Sequence, residues 1–410
     1  MAAEQKVRVL EPERKQGKFL FEIPEDRLST DHPARMLWAI IVTLDLSGFL
    51  AGAKAVEGVA GRARLSPAML LTLWLYALSR GVGSAREIAR LLETDDAFRW
   101  IVGDVGVSHH TLSQFRVGHF AALQGLMSNV LATLMHKGLL SLERVAQDGT
   151  RVRASASAPS FRTGPALKEC LEQADLHIKA VLADADNPEL SAAHHAARVA
   201  KARDMKERIE EAIATVKELL ETKGKTAEKA RASTTDPESR VMKMPDGGFR
   251  PGHNVQLAVA GSELGGPRTI VGLQVTNVGS DMGSLAPMVE QIAERTGALP
   301  KAMLADANHG KHACIEAITA KGVAPLVSLS KTIALSKVPA IRAWHELMQS
   351  EIGKLQYKAR AGLVELVNAH FKDRFGLAEV LVRGTQKVTC VMLLGALAFN
   401  LLQHAPKLLV

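Results

Sequence analysis

The sequence predicts an all-helical N-terminal domain followed by an α/β domain whose mixed sheet is flanked by helices. Between residues 33 and 140, apolar side chains recur at helical spacing, as at Leu37, Ile40 and Ile41. Downstream, strand-like apolar runs alternate with helical ones. The predicted strands are 144–153, 253–260, 269–276, 301–306 and 323–328, and the predicted helices are 284–295, 314–321, 341–371 and the run from 388. This order is typical of a mixed sheet with helices packed on it.

Length and composition favour a multidomain protein with a polyanionic partner. A chain of 410 residues is expected to form about two to three domains. Its formal charge of +8 and pI of about 9.4 favour nucleic acid as a partner. The cysteines Cys170, Cys314 and Cys390 lie far apart and form no metal-binding or redox motif, which argues against a disulfide scaffold and indicates a reducing cytoplasm.

The changes in composition predict where the domains begin and end. We expect an N-terminal arm at 1–30, a helical domain at 31–140 and an α/β domain at 141–404 that is interrupted by a helical insertion at 166–232. The first six residues of the arm contain no apolar signal core. The apolar run 388–402 is shorter than the roughly 20 residues that span a bilayer and contains Asn400. We therefore predict a buried core helix there and no membrane partner.

Two short helices are predicted near the end of the helical domain. The first, at 84–92, begins with a capping box formed by Ser84 and Glu87, and the second covers 108–116. Together they resemble a helix-turn-helix that could lie in a major groove of DNA. The candidate DNA-binding residues are Arg86, Thr111, Gln114 and Arg116. The alternative is a plain helical pair with a polar exposed face.

The insertion at 166–232 is predicted to be a helical hairpin or coiled coil. Apolar residues recur every three or four positions at Met205, Ile209, Ile213, Val216 and Leu220. That spacing makes a narrow apolar seam. The charged residues around the seam are interpreted as a solvated face.

Asp148 is the first candidate for a catalytic role. It lies in the predicted strand 144–153, where an ionised carboxylate buried without a partner would cost several kcal/mol. Gly149 follows it and leaves room for close approach, and Arg151 and Arg153 could hold a phosphodiester. A divalent-metal site for phosphoryl transfer has these requirements. The alternative is a strand-to-turn Asp-Gly pair without chemistry.

Two further carboxylates complete the candidate site. Asp306 ends a predicted strand, where α/β sheets place their ligands. Glu365 lies on the predicted long helix, with Lys358 seven residues before it and Lys372 seven residues after it. This spacing predicts one shared helix face, with lysines placed for phosphates. The alternative for Glu365 is an ordinary surface glutamate. If these carboxylates do not converge, Asp281 would replace Asp306, and Glu351 or Glu346 would replace Glu365.

The order of Asp148, Asp306 and Glu365 resembles the DDE triad of bacterial insertion-sequence transposases, which share the RNase H-like fold of retroviral integrases. Tyr357, Arg360, Glu365 and Lys372 are similar to that family's Tyr-x2-Arg-x3-Glu-x6-Lys signature, although Arg360 lies one residue too far from Glu365.

Other motifs extend the resemblance to nearly the whole chain. These are Ser-Thr-Thr-Asp-Pro at 233–237, Gly-His-Asn-Val-Gln at 252–256, Arg-Gly-Thr-Gln-Lys-Val at 383–388, Ala-Asp-Ala-Asn-His at 305–309 and the helical block 81–92. Relatives have Tyr where this chain has His253, and Gly-Tyr where it has Asn308 and His309.

The resemblance implies a transposase that binds the terminal inverted repeats of its element, cuts the DNA and joins the ends to target DNA. It implies that Asp148, Asp306 and Glu365 bind two Mg²⁺ or Mn²⁺ ions. The residues implied to contact DNA near this site are Arg151, Arg153, Tyr357, Lys358, Arg360 and Lys372. A homodimer in the synaptic complex and a cytoplasmic location, on the nucleoid when bound to DNA, are also implied. The alternatives are a catalytically inactive DNA-binding derivative and an RNase H-like nuclease.

Overall fold

The computed structural model describes residues 23–51, 63–184, 191–222, 229–261, 266–329 and 337–409. Most of the expected N-terminal arm, residues 1–22, lies outside the described residues. The chain is a mixed α/β protein with a helical N-terminal part, as the sequence predicts.

The N-terminal part consists of helices that pack around α2. Its helices are α1 Pro33–Ile41, α2 Pro67–Ser79, α3 Ala85–Thr94, α4 Asp96–Val102, α5 His109–Gly118 and α6 Phe120–His136. Ser66 caps α2 through a hydrogen bond from the Met69 amide, and Pro67 occupies its first turn. Since most residues of α2 are buried, it lies at the centre of this part.

The predicted helix-turn-helix is wrong in one respect, because α4 lies between α3 and α5. Asp95 caps α4 by accepting hydrogen bonds from the Ala97 and Phe98 amides, and Gly103 ends the helix with φ +51°. Both signals are present in the sequence as an acidic N-cap and a glycine after the last turn. The connection between α3 and α5 is therefore a helix and not a simple turn.

The sheet joins strands from distant parts of the sequence. Its strands are β1 Arg144–Arg153, β4 Arg240–Lys243, β5 Phe249–Ala260, β6 Thr269–Thr276, β7 Ala302–Ala305 and β8 Ala324–Val327. In the described part of the chain they follow the order β4-β5-β1-β7-β8, and β6 also pairs with β5. β1 is antiparallel to β5 and parallel to β7. Helices α9 Leu285–Thr296 and α10 His312–Ala320 follow β6 and β7.

The insertion is a helical hairpin closed by a short strand pair that the sequence did not predict. Helices α7 Gly164–Ala183 and α8 Ala192–Thr222 run antiparallel, with an ion pair of 2.7 Å between Asp175 and Lys206. β2 Phe161–Thr163 and β3 Arg231–Ser233 pair at its base. The seam differs from the predicted one, because Ala212 and Leu219 join Ile209 and Val216 inside while Met205 is exposed.

The last helix, α14 Thr385–Leu408, packs against both parts of the protein. It contacts α1, α2, α5 and α6 on one side and β6 on the other, so the N-terminal helices and the sheet share one hydrophobic core. Its length and apolar composition are those of a membrane span, but 83% of the apolar window is buried inside the protein. Asn400 bonds both the amide and the carbonyl of Ile270 at 2.8 Å, which satisfies the backbone of β6.

The predicted helix 341–371 is interrupted. α11 Pro339–Gln349 ends at Ser350, whose side chain caps α12 Glu351–Tyr357. The chain then continues through a π-helical turn at Ala361–Glu365, α13 Leu366–Ala369 and a second π-helical turn at His370–Arg374. These elements are named here the helical segment 351–374, and its first π-helical turn packs against β1 and β5.

Candidate active site

The strands β1 and β7 bring Asp148 and Asp306 to neighbouring positions. Their parallel register pairs Ala146 with Leu304. Continued by two residues, the same register sets Asp148 opposite Asp306, which directly follows β7. Both carboxylates are partly exposed at this end of the strands. The two residues therefore lie at neighbouring positions, Asp148 within β1 and Asp306 directly after β7.

Asp148 is held from its own backbone and from the helical segment 351–374. The Gly149 amide donates to Oδ1 at 2.9 Å, and Asn368 Nδ2 donates to Oδ2 at 3.2 Å. Burial raises the pKa of Asp148, and the neighbouring Asp306 charge adds to the rise, while the Arg360 charge opposes it. A carboxylate with a raised pKa is destabilised in its ionised form, so this position favours an added cation.

Asp306 caps the turn that follows β7. Its Oδ1 accepts hydrogen bonds from the Asn308 amide at 3.1 Å and from His309 Nδ1 at 2.7 Å, and Asn308 Nδ2 donates to Oδ2 at 3.0 Å. Burial raises its pKa, but His309, Arg360 and the Asn308 amide outweigh that effect, and the pKa lies below its ordinary value. Asp306 is thus stabilised as the anion.

His309 connects Asp306 to a buried amide network. Gln256 Nε2 donates to Asp281 Oδ1 at 2.6 Å, which turns Gln256 Oε1 toward His309 Nε2 at 3.0 Å. Gln147 donates to the same Oε1 at 3.0 Å. His309 is fully buried, so this network fixes the orientation of its ring. The sequence marked His309 only as a departure from the family pattern.

Glu365 reaches the two aspartates through Arg360. Arg360 Nη2 donates to Glu365 Oε1 at 3.1 Å, and Nη1 lies 3.8 Å from Asp148 Oδ2. Nη1 is buried and has no hydrogen-bond partner within the described ranges. The guanidinium therefore lies between carboxylates. Among the described residues, no three His, Cys, Asp or Glu side chains are grouped closely enough to hold a metal ion.

The π-helical turn explains the extra residue between Arg360 and Glu365. A π turn accommodates one residue more than an α turn, through i→i+5 hydrogen bonds. Ala361–Glu365 is such a turn, and it keeps Arg360 and Glu365 in contact although they are five residues apart. The π-helical turn thus accounts for the one extra residue that separates Arg360 from Glu365 in this sequence.

Two family models match the chain. Residues 22–118 match the model described as Transposase domain (DUF772), and residues 327–405 match the one described as Transposase DDE domain. The second match contains Arg360, Glu365 and Lys372. The chain is an insertion-sequence transposase of the DDE class. Neither the curated proteins nor the solved structures include a match to it.

Lys358, Glu365 and Lys372, which were expected on one helix face, differ in their exposure in the transposase. The charge of Asp148 acts on Lys372, which is partly buried; burial lowers the Lys372 pKa, and Asp148 and Asp373 oppose this. Glu365 and Lys358 are exposed. Two π-helical turns interrupt this part of the helix, so its residues do not keep the regular α-helical spacing on which that expectation rests. Tyr357 is partly buried against the core.

Arg151 is held by the protein, contrary to its predicted role in binding a phosphodiester. Its Nη1 lies 3.1 Å from Asp281 Oδ1, and its Nη2 donates to the Gly279 carbonyl at 2.7 Å. An added Cβ at Gly149 would lie 2.3 Å from Asp281 Oδ1, so Gly149 provides the room for this ion pair. Because neighbouring residues of β1 face opposite sides, Asp281 lies across the sheet from Asp148 and is no substitute for Asp306.

Arg116 also differs from its predicted role as a DNA contact, because it is buried. Its side chain is only 6% exposed, donates to the Gly83 carbonyl at 2.7 Å and lies over the Trp74 ring. Burial lowers its pKa to about 10. Arg116 therefore links α5 to the turn after α2 and is too buried to make the predicted contact. Arg86 and Gln114 are exposed, whereas Thr111 contacts the Ser108 hydroxyl at the start of α5.

Three of the transposase motifs meet at a second, buried cluster. Asp236 accepts from the Gly384 amide at 3.2 Å, and its other oxygen lies 3.3 Å from His253 Nε2. Ser233 accepts a hydrogen bond from the Asp236 amide. Both Asp236 and His253 are fully buried. This cluster attaches the beginning of α14 to the sheet, which gives the motifs a structural role.

Proposed function

We propose that the transposase binds the terminal inverted repeats of its element, cuts the DNA at their ends and joins the ends to target DNA. The observation that carries the proposal is the placement of Asp148 on β1 and of Asp306 directly after the adjacent parallel strand β7, with Glu365 on the helical segment above them. In this proposal residues 141–404 form an RNase H-like catalytic domain and residues 31–140 a DNA-binding domain.

The three carboxylates fit divalent metal ions in their chemistry. Mg²⁺ and Mn²⁺ prefer oxygen ligands, and the buried Nη1 of Arg360 already sets a positive charge beside Asp148. Asp148, Asp306 and Glu365 would hold two ions. Such ions would activate the attacking oxygen and stabilise the leaving oxygen when bound.

The proposed reaction has two steps. In the first step a water oxygen forms a bond to phosphorus while the bond to the 3′ oxygen breaks, which leaves a 3′ hydroxyl and a 5′ phosphate. In the second step, that hydroxyl attacks a phosphodiester of the target and displaces its 3′ oxygen.

Basic side chains near the site would bind and orient the DNA. Lys372, beside Asp148, and the exposed Lys358 and Arg153 would neutralise phosphates without reading sequence.

A joining assay tests the proposal. The full chain is incubated with a labelled duplex carrying an element end, a circular target plasmid and Mg²⁺ or Mn²⁺. We expect 3′-end cleavage followed by covalent transfer of the label to the plasmid. Cleavage without transfer would instead indicate an RNase H-like nuclease, and binding without cleavage would indicate an inactive derivative. The number of protein chains in the active complex, expected to be two, is measured in the same reaction by light scattering.

The position of Arg360 leads to a prediction about metal affinity. Arg360→Ala removes a positive charge that lies between the carboxylates, so we expect Mn²⁺ to bind roughly tenfold more tightly or better. Calorimetry or electron paramagnetic resonance measures this without any turnover.

The matched control is Arg374→Ala, which removes an exposed arginine of the same helical segment. We expect the affinity of that variant to be unchanged. Equal affinities in the wild type and both variants would contradict the assignment of the carboxylates as metal ligands.

A further inference from the structure

A two-stranded ribbon extends from the edge of the sheet. β4 pairs with residues 249–252 of β5, and the turn between them contains Gly247 with φ +86°. These residues, 240–252, are named here the ribbon. In the described part of the sheet β4 is a terminal strand. The ribbon lies beyond the end of β1, since Arg153 pairs with Gly252.

The outer face of the ribbon is apolar and exposed. Phe249 is 70% exposed, the highest value for a large hydrophobic residue in the described ranges, and Val241 is 50% exposed. Lys243 lies directly opposite Phe249 in the register, so the three side chains share one face. Covering an aromatic ring of this size is strongly favourable, so a contact that removes Phe249 from water would be stabilised.

This outer face belongs to the same side of the sheet as Asp148. Asp148 pairs with Leu257, and side chains of β5 alternate from Leu257 back to Phe249 without a register shift. From Asp148 to the level of Arg153 is about 17 Å along the strand, and Phe249 lies about 10 Å farther. At the spacing of bases in a duplex, Phe249 lies roughly eight base pairs from the candidate active site.

The ribbon is positively charged on both of its faces. Lys243 lies on the outer face and has no ion pair among the described residues. On the other face Arg250 and Arg153 share one carboxylate, that of Asp246. Two guanidinium groups with a single acid leave a positive charge. A ribbon of two strands also has the width that enters the major groove.

We propose that the ribbon is a DNA-binding element that contacts the duplex beside the cleavage site. Phe249 packs against a base or a sugar, and Lys243, Arg250 and Arg153 contact phosphates on either side. This inference rests on the proposed function, because it assumes that DNA reaches Asp148. It assigns DNA contact to a surface separate from the N-terminal helices and from the helical segment 351–374.

The test uses the full chain without divalent metal, so that DNA is bound but not cut. Phe249→Ala should weaken binding to an element-end duplex about tenfold, the effect of losing one stacked base, whereas Phe249→Tyr should bind like the wild type. Lys243→Ala should reduce the slope of the logarithm of DNA affinity against the logarithm of salt concentration by about one. Each variant should melt at the same temperature as the wild type, which shows that a loss of binding is not caused by a loss of folding.

A photoreactive benzoylphenylalanine at position 249 identifies what covers the ring. We expect a covalent adduct with DNA that disappears when unlabelled duplex is added. The same group at Leu176, an exposed residue of α7, should form no such adduct. A protein–protein adduct at position 249 would overturn the inference in favour of a contact between two copies, and no adduct at all would overturn it too. If the wild type binds no DNA, the proposed function itself is wrong. If the wild type binds DNA but position 249 forms no adduct with it, only the inference about the ribbon is wrong.

Discussion

Replacing Asp148 by asparagine is expected to lower DNA cleavage about a thousandfold or more while leaving the protein folded. The substitution removes a negative charge from the paired carboxylates, and metal-assisted stabilisation of charge in the transition state is worth several kcal/mol. The asparagine can still accept the hydrogen bond from Asn368. The measurement is the single-turnover rate on a duplex with one element end, in Mg²⁺ and in Mn²⁺.

The same variant should be more stable than the wild type at neutral pH. Because the pKa of Asp148 is raised in the folded protein by burial, ionisation of this group destabilises the fold as pH rises from the ordinary aspartate pKa through the raised one. Asp148→Asn removes that cost. The difference in melting temperature should be largest at pH 7 and vanish at pH 3, where both states carry the proton. A wild type that melts above the variant at pH 7 would contradict this prediction.

Replacing Glu365 by glutamine should separate cleavage from binding. The change keeps the size of the side chain and removes one negative charge near Arg360 and Asp148. We expect DNA binding to persist and cleavage to fall about a thousandfold or more if Glu365 is a metal ligand. Lys372→Ala should instead weaken binding to all sequences and lower the salt slope by about one.

Glu351→Gln is the matched control. Glu351 is an exposed glutamate at the start of the same helical segment and pairs with Lys354 at 2.9 Å. We expect this variant to cut DNA at the wild-type rate. If Glu351→Gln loses cleavage and Glu365→Gln does not, Glu351 is the third carboxylate. Mild losses in both would assign Glu365 to the surface.

The sequence predicted the elements that carry the candidate site better than it predicted their neighbours. The strands that carry Asp148 and lead to Asp306 were recognisable from apolar runs that end in a carboxylate. Their adjacency was not, because the parallel pairing of β1 and β7 joins segments separated by some 150 residues. The regular helix that was expected to carry the lysines is interrupted by two π-helical turns, so the periodicity on which that prediction depended does not continue through this segment.

The arginines show why charge alone does not identify a DNA contact. Arg151 and Arg116 were candidates because basic residues near a carboxylate or on a polar helix often bind phosphate. In the structure their partners are Asp281 and the Gly83 carbonyl, which lie far away in the sequence. No local pattern marks such pairs. The ribbon was not predicted from the sequence because β4 has only four residues, which is too short for a recognisable strand pattern.

The strand pair at the base of the helical hairpin gives the chain a site where sequence can change at little energetic cost. Thr163 and Arg231 are register partners, so the insertion leaves and re-enters the α/β part of the protein at adjacent points. Its buried residues, among them Leu167 and Val216, form a cluster of their own. Because the closure entropy grows only slowly with loop length, copies of the element could lengthen, shorten or replace this hairpin during evolution without repacking the core beneath Asp148.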